Sequence, residues 1–423
     1  MDGASRYHPR AEQAYTDTKA QHSPLTLPQE LYDDAMAYID TDRDIFTLYS
    51  CALVCRAWVP GARRFTHHTL RIPCHITPRE IELFNLLDSP HCTLFPNVRK
   101  VIFDGTPARL GIAPPDDEWM WPFTRLQSRF TGVRALEFLD IDVAAKTSDG
   151  WDAFWKPDKN MAWLEGILDL TFVRVSFMCF VFVMHRVHQC ANLERLKLVR
   201  DSAGYPIPIM EPAWARETPV PESLRELNIM DTQVPMWIVL ANTAPAPQLR
   251  VLKLAATVNF NDYDLWDTID LVSGTLEVLE FHVSSAAVLD AIFSGILHRT
   301  SLRQVRMAGL FYLFRERKRF FSQVRACMSL LANIPADQLL QITFDVYFAD
   351  YMAEGWQLMP EDRSFWTELD MFLAGATFPA LEQVRFVVVR DARNITKSVL
   401  HELLPLCVEL NRIQIDNLPW KEE

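Results

Sequence analysis

Ten copies of one short phrase, apolar-x-x-apolar-x-apolar, constrain the fold of this chain more than any other feature. They begin at Val98, Val133, Leu193, Leu224, Leu249, Leu276, Leu302, Leu339, Leu381 and Leu410. Side chains on extended backbone point to opposite faces in turn, so the last three positions of each phrase read as a half-buried strand. From Leu193 to Leu302 the starts recur every 25 to 31 residues, which is room for one strand and one returning helix. Between Val133 and Leu193 the gap is 60 residues, and Ile167-Leu168-Asp169-Leu170-Thr171-Phe172 supplies a further copy inside it. Tyr263 to Val272 and Ala286 to Leu297 carry apolar residues at helical intervals and read as outer helices. The predicted object is α/β: a curved parallel sheet backed by helices. Each unit buries its apolar face against its neighbours, so 423 residues do not require several separate cores.

The best copies, Leu193-Glu194-Arg195-Leu196-Lys197-Leu198, Leu224-Arg225-Glu226-Leu227-Asn228-Ile229 and Leu249-Arg250-Val251-Leu252-Lys253-Leu254, are spelled much as leucine-rich repeats are. That resemblance implies a leucine-rich-repeat-like solenoid over residues 71–423. Residues alternating with the apolar ones project from the concave face, where solenoids usually hold their ligands. The centre column reads Ile102, Glu137, Lys197, Asn228, Lys253, Glu280, Arg306, Thr343, Arg385 and Gln414. Lys197, Asn228, Lys253, Glu280, Arg306 and Arg385 are the candidate contacts to a protein client. Four of these are basic in a chain of net charge -12, and they suit an acidic client segment. A plain solvated sheet face accounts for them equally well.

Ahead of the repeats, Leu27, Leu31, Ala35, Tyr38 and Ile39 fall at helical spacing, with Pro28 in the first turn, where its missing N–H costs nothing. Glu30 lies near the positive end of that helix. A polar break, Asp40 to Asp44, precedes a second apolar stripe, Ile45, Leu48, Ala52 and Cys55, and Pro60-Gly61 is read as a turn. Leu27-Pro28-Gln29-Glu30-Leu31 followed by Leu53-Val54-Cys55-Arg56-Ala57-Trp58 resembles an F-box, in a spelling similar to the large F-box families of mushroom-forming fungi. An ordinary amphipathic helical pair is the plainer alternative. The resemblance implies a trihelical F-box-like domain over residues 23–70, after a disordered leader over 1–22. It also implies docking onto a Skp-type adaptor and cullin scaffold through Leu27, Pro28, Glu30, Leu31, Ile39, Leu53, Val54, Cys55 and Trp58. On this reading the chain is a substrate receptor of a Skp/cullin/F-box ubiquitin ligase that passes the transfer chemistry to other subunits. A scaffold whose F-box-like helices merely cap the repeat array is the second reading.

Other function classes find little support. The negative charge disfavours nucleic acid. The apolar stretch Phe172 to Met184 is broken by Arg174 and falls short of the roughly 20 residues that span a bilayer. Met1 to His22 lacks the apolar run of a secretory signal, so the expected compartment is the cytoplasm or nucleus, with the eight cysteines as reduced core residues. Cys51, Cys55, His67 and His68 fail the ligand spacing of a zinc finger, and no other metal or cofactor motif occurs. With 13 glycines, phosphate-cradling loops are scarce. Arg315 to Arg319, interleaved with Phe311, Phe314, Phe320 and Phe321, reads as a helix with buried rings and solvated charges. Three inserts break the spacing: Pro114 to Phe123, the stretch around Trp151, Trp155 and Trp163, and Tyr347 to Phe365. Their tryptophans are read as packed rather than as binding anchors.

Overall fold

A computed structural model describes residues 31, 34, 36, 45–54, 58–73, 78–92, 94–105, 126, 129–141, 161–175, 187–199, 220–230, 247–255, 273–282, 301–312, 317–332, 334, 337–348, 360–389 and 395–418. It divides into two compact units, Met1–Thr66 and His67–Glu423. The expected leader, the outer helices at Tyr263 to Val272 and Ala286 to Leu297, and the tryptophans other than Trp58, Trp163 and Trp366 lie outside the described residues.

In the first unit Leu31, Asp34 and Met36 are helical, and two helices follow, α1 (Ile45–Val54) and α2 (Trp58–Thr66). Pro60-Gly61 does not turn the chain as the sequence suggests. It falls in the first turn of α2, where a proline removes only an N–H that the helix leaves unpaired in any case. Met36, Cys51 and Ala62 form a small core, with Trp58 and Phe65 packed against it.

The second unit is one sheet of twelve strands in strict sequence order, every pair parallel. They are β1 (Thr69–Pro73), β2 (Lys100–Asp104), β3 (Ala135–Leu139), β4 (Asp169–Val173), β5 (Arg195–Val199), β6 (Glu226–Met230), β7 (Val251–Ala255), β8 (Val278–His282), β9 (Gln304–Tyr312), β10 (Gln341–Phe348), β11 (Gln383–Val389) and β12 (Ile413–Leu418). All ten phrases become rungs, and the copy starting at Ile167 becomes β4. The register follows the phrase residue by residue: Lys197 opposes Asn228, Asn228 opposes Lys253, Lys253 opposes Glu280, and Glu280 opposes Arg306. The first rung has no phrase, because His67 stands where an apolar start belongs, yet Arg71 pairs with Ile102 in the same column.

Parallel strands cannot be joined by hairpins, so their register must come from the buried side chains. Leu136, Leu170, Leu196, Leu227, Leu252, Leu279, Val305 and Ile342 form one continuous buried column, none more than 3% exposed. Phe103, Phe138 and Phe172 stack in register across three rungs, with centroids 5.4 and 5.2 Å apart. Bonds between successive turns clamp one edge. The Ser223 hydroxyl donates to the Leu193 carbonyl at 2.8 Å, the Thr275 hydroxyl to Leu249 at 2.8 Å, and the Arg134 guanidinium to Gly166 at 3.0 Å.

At the other edge Asp140 and Arg174 end β3 and β4 with φ of 55° and 52°, a left-handed conformation unusual outside glycine. They are tied to each other: Arg174 Nε donates to Asp140 Oδ1 at 2.7 Å and Nη2 to Oδ2 at 2.6 Å. Gly309, at φ 76°, allows a register shift in β9 opposite β10. The His282 imidazole occupies the space a Cβ at Gly309 would take, 2.1 Å from its ideal position.

Helices α3 (Pro78–Asp88), α4 (Arg317–Ala332), α5 (Pro360–Ala374), α6 (Ile395–Leu403) and α7 (Pro405–Glu409) belong to the same unit. In α4, Phe320 and Phe321 are buried while Lys318 is exposed, as the interleaved pattern requires. The insert expected over Tyr347 to Phe365 is shorter than it reads. Tyr347 continues β10, and α5 starts at Pro360 and buries Phe365 and Trp366 in the core. Asp370 on α5, itself 2% exposed, accepts hydrogen bonds from the Leu406 and Cys407 amides at 2.8 and 3.0 Å, so it caps α7 from outside. Leu410, expected at a buried start position, is 50% exposed: it is the C-cap of α7, and the final rung has a neighbour on one side only.

Candidate recognition site

The face opposite the buried columns carries charges that pair across rungs. Arg71 binds Asp104 with Nη2–Oδ2 at 2.6 Å, and Lys100 binds Glu137 at 2.6 Å. Arg195 pairs with Asp169, Nη2 to Oδ2 at 2.6 Å. Lys253 reaches Glu226 at 2.9 Å, and Arg385 pairs with Asp416. Arg306 is held most fully: its Nη2 lies 2.6 Å from Asp345 Oδ2, and its Nε adds bonds of 3.0 and 3.2 Å to the same carboxylate. Opposite charges on adjacent rungs each add a few tenths of a kcal/mol to the sheet, and like charges in those places would cost as much.

Between β6 and β11 this face encloses a cavity of about 490 Å³. Lys253, Glu280, Arg306 and Arg385 line it, so four of the six residues predicted to meet a client come together. Lys197 and Asn228 continue the same column outside the lining. Lys197 is exposed and pairs with no carboxylate among the described residues, while Asn228 is 9% exposed and its Oδ1 has no hydrogen-bond partner.

Thr343 of the centre column and Val305 beside Arg306 also line it, and the rest of the wall consists of residues the centre column alone does not reveal, namely Glu226, Val251, Val278, Gln304, Gln341 and Val387. Each of these six stands two residues from a centre position and so shares its face, which is the signal by which the sequence could have shown them. The paired carboxylates Asp345 and Asp416 obey the same rule. The cations therefore do not form a bare positive strip, because carboxylates two positions away meet them.

At the far end of the groove Asp416 is held below the usual carboxylate range. Burial works against this, but the Gln414 amide and the Arg385 guanidinium hydrogen-bond to the charged form, and the guanidinium charge adds to their effect. The described thiols that burial perturbs are elsewhere. Cys407 is pushed up to about 12 by burial and by its bond with Asp370, and burial alone raises Cys327. Both therefore stay protonated and unreactive at neutral pH.

Of the residues predicted to meet an adaptor, Leu31, Leu53, Val54 and Trp58 are described. Leu31 and Leu53 are 52% and 87% exposed, and Tyr49, one turn before Leu53 on α1, is 46% exposed. Trp58 is half-buried against the small core. Val54 belongs to α1, while Leu27, Pro28, Glu30, Ile39 and Cys55 lie outside the described residues. Among the described residues no cluster of three His, Cys, Asp or Glu could hold a metal ion, and no helix is long and apolar enough to cross a membrane. The chain matches no family model and no curated protein.

Proposed function

We propose that this chain is a substrate receptor of a Skp/cullin/F-box ubiquitin ligase. Its helical unit docks on a Skp-type adaptor, and the groove of its leucine-rich-repeat-like ribbon holds a protein client. The exposure of Leu31, Tyr49 and Leu53 on a unit whose described core is Met36, Cys51 and Ala62 carries the reading. Apolar area of that size is rarely left in water without a partner, and aliphatic and aromatic anchors are what an adaptor groove receives. The F-box-like spelling from Leu27 to Trp58 gives that partner its class. The receptor contributes by proximity, raising the effective concentration of a client lysine near a charged ubiquitin carrier without acid-base chemistry of its own. Such an assembly works in the cytoplasm or nucleus.

Changing Leu31 and Leu53 together to aspartate tests this with little risk to folding, since both side chains are exposed. The unaltered chain should co-purify with a Skp-type adaptor, and the double variant should lose at least tenfold in recovery at an unchanged melting temperature. Equal recovery of the two proteins, or no adaptor with either, would refute the assignment.

A further inference from the structure

The cations that flank Glu280 turn away from it. On β7, Lys253 swings toward β6 and binds Glu226 at 2.9 Å; on β9, Arg306 swings toward β10 and gives its short bonds to Asp345. Among the described residues Glu280 keeps one loose ion pair, 3.7 Å to Arg306 Nη1, although its side chain is only 16% exposed. A carboxylate in a recess has acceptor capacity that water serves poorly, and a charge-assisted donor placed there gains most. The lining carries Lys253, Arg306 and Arg385 against Glu226 and Glu280, but Lys253 is already paired with Glu226, Arg306 with Asp345 and Arg385 with Asp416, which leaves Glu280, among the described residues, as the lining charge without a close partner of its own.

Val251 and Val278 lie on the same wall, two residues before Lys253 and Glu280. A lysine or arginine entering the groove would lay its methylenes on these valines and its head on Glu280, the arrangement long basic side chains favour. Lys197 does not compete as an anchor for an acid. It is exposed and outside the cavity, where solvent and salt screen its charge. The chain's net charge of -12 draws basic segments toward the face.

We infer that the groove over β6–β11 selects a client segment through one basic side chain seated on Glu280, rather than through acidic residues seated on the column's cations. This rests on the receptor reading and names the chemistry of its client.

The test pans the full chain, immobilised, against a display library of short random peptides. Glu280→Gln and Gln304→Trp variants are panned in parallel; Gln304 is an exposed part of the wall, so a tryptophan there obstructs the groove without disturbing the core. Enrichment of peptides sharing a fixed lysine or arginine, lost with Gln304→Trp and reduced about tenfold or more by Glu280→Gln, is the expected result. Enrichment of acidic or uncharged peptides that Gln304→Trp abolishes would overturn the basic-client inference and leave the receptor reading standing. Enrichment indifferent to Gln304→Trp, or none at all, would overturn both.

Discussion

The two units of this chain treat apolar residues in opposite ways. In the ribbon nearly every large apolar side chain of the repeats is covered by the rungs on either side, as Phe138 is by Phe103 and Phe172. In the helical unit Leu53, the same kind of residue, stands 87% exposed above a core built from Met36, Cys51 and Ala62. A stack of rungs completes its core from within the chain, whereas a short helical unit has too little surface to enclose a large one, and its described residues leave apolar side chains in solvent.

The largest test of that contrast places one alanine in each unit. Phe138→Ala removes a ring stacked on both sides and should cost about 3–5 kcal/mol, read from the urea midpoint. Leu53→Ala should move the same midpoint by less than about 0.5 kcal/mol. If both cost alike, Leu53 is a core residue and the contrast fails.

A second comparison lies between the ribbon's edge and its surface. Arg174→Ala leaves Asp140, 2% exposed, without its bidentate partner and should cost about 3 kcal/mol, the low end for such a break because Arg174 is itself half-exposed. Arg325→Ala, which breaks an exposed pair with Glu368, should cost no more than about 0.5 kcal/mol. Chemical denaturation of both variants checks the ratio, and near-equal losses would remove the distinction.

The regularity of the ribbon was legible because the property that builds it is also periodic: buried positions alternate within a rung and repeat between rungs. The column from Ile102 to Gln414 could therefore be read to the residue save for Thr171 on the copy starting at Ile167, whereas β1 could not, because His67 breaks the spelling while Leu70 and Ile72 keep the alternation. The left-handed ends at Asp140 and Arg174 and the bulge at Gly309 left no mark, since local backbone conformation there answers to a partner 34 residues away or to the His282 ring. The groove was half legible. Its centre column followed from the phrase, but the charges that neutralise the column stand in flanking positions, and their effect appears only when three columns are read side by side.

The smallest test concerns acid. Asp416 has its carboxyl lowered in the fold, so the stability it contributes is complete above the unfolded carboxylate value and is lost as pH falls through the folded one. Its exposure limits the effect to a few tenths of a kcal/mol, on the order of 0.3. Urea midpoints of the wild type and of Asp416→Asn between pH 5 and pH 3 should therefore fall slightly less steeply for the variant. A steeper fall would mean that the Asp416 carboxyl is not held low in the fold by Gln414 and Arg385.

Because the hidden columns do most of the work of setting the register, the outward positions of each rung are constrained mainly by the charge they face on the next. Selection can then rewrite the groove letter by letter, exchanging one exposed charge at a time, while the spine that carries the text stays the same. A lineage holding many copies of such a chain could diversify the face each one presents without ever redesigning how it folds.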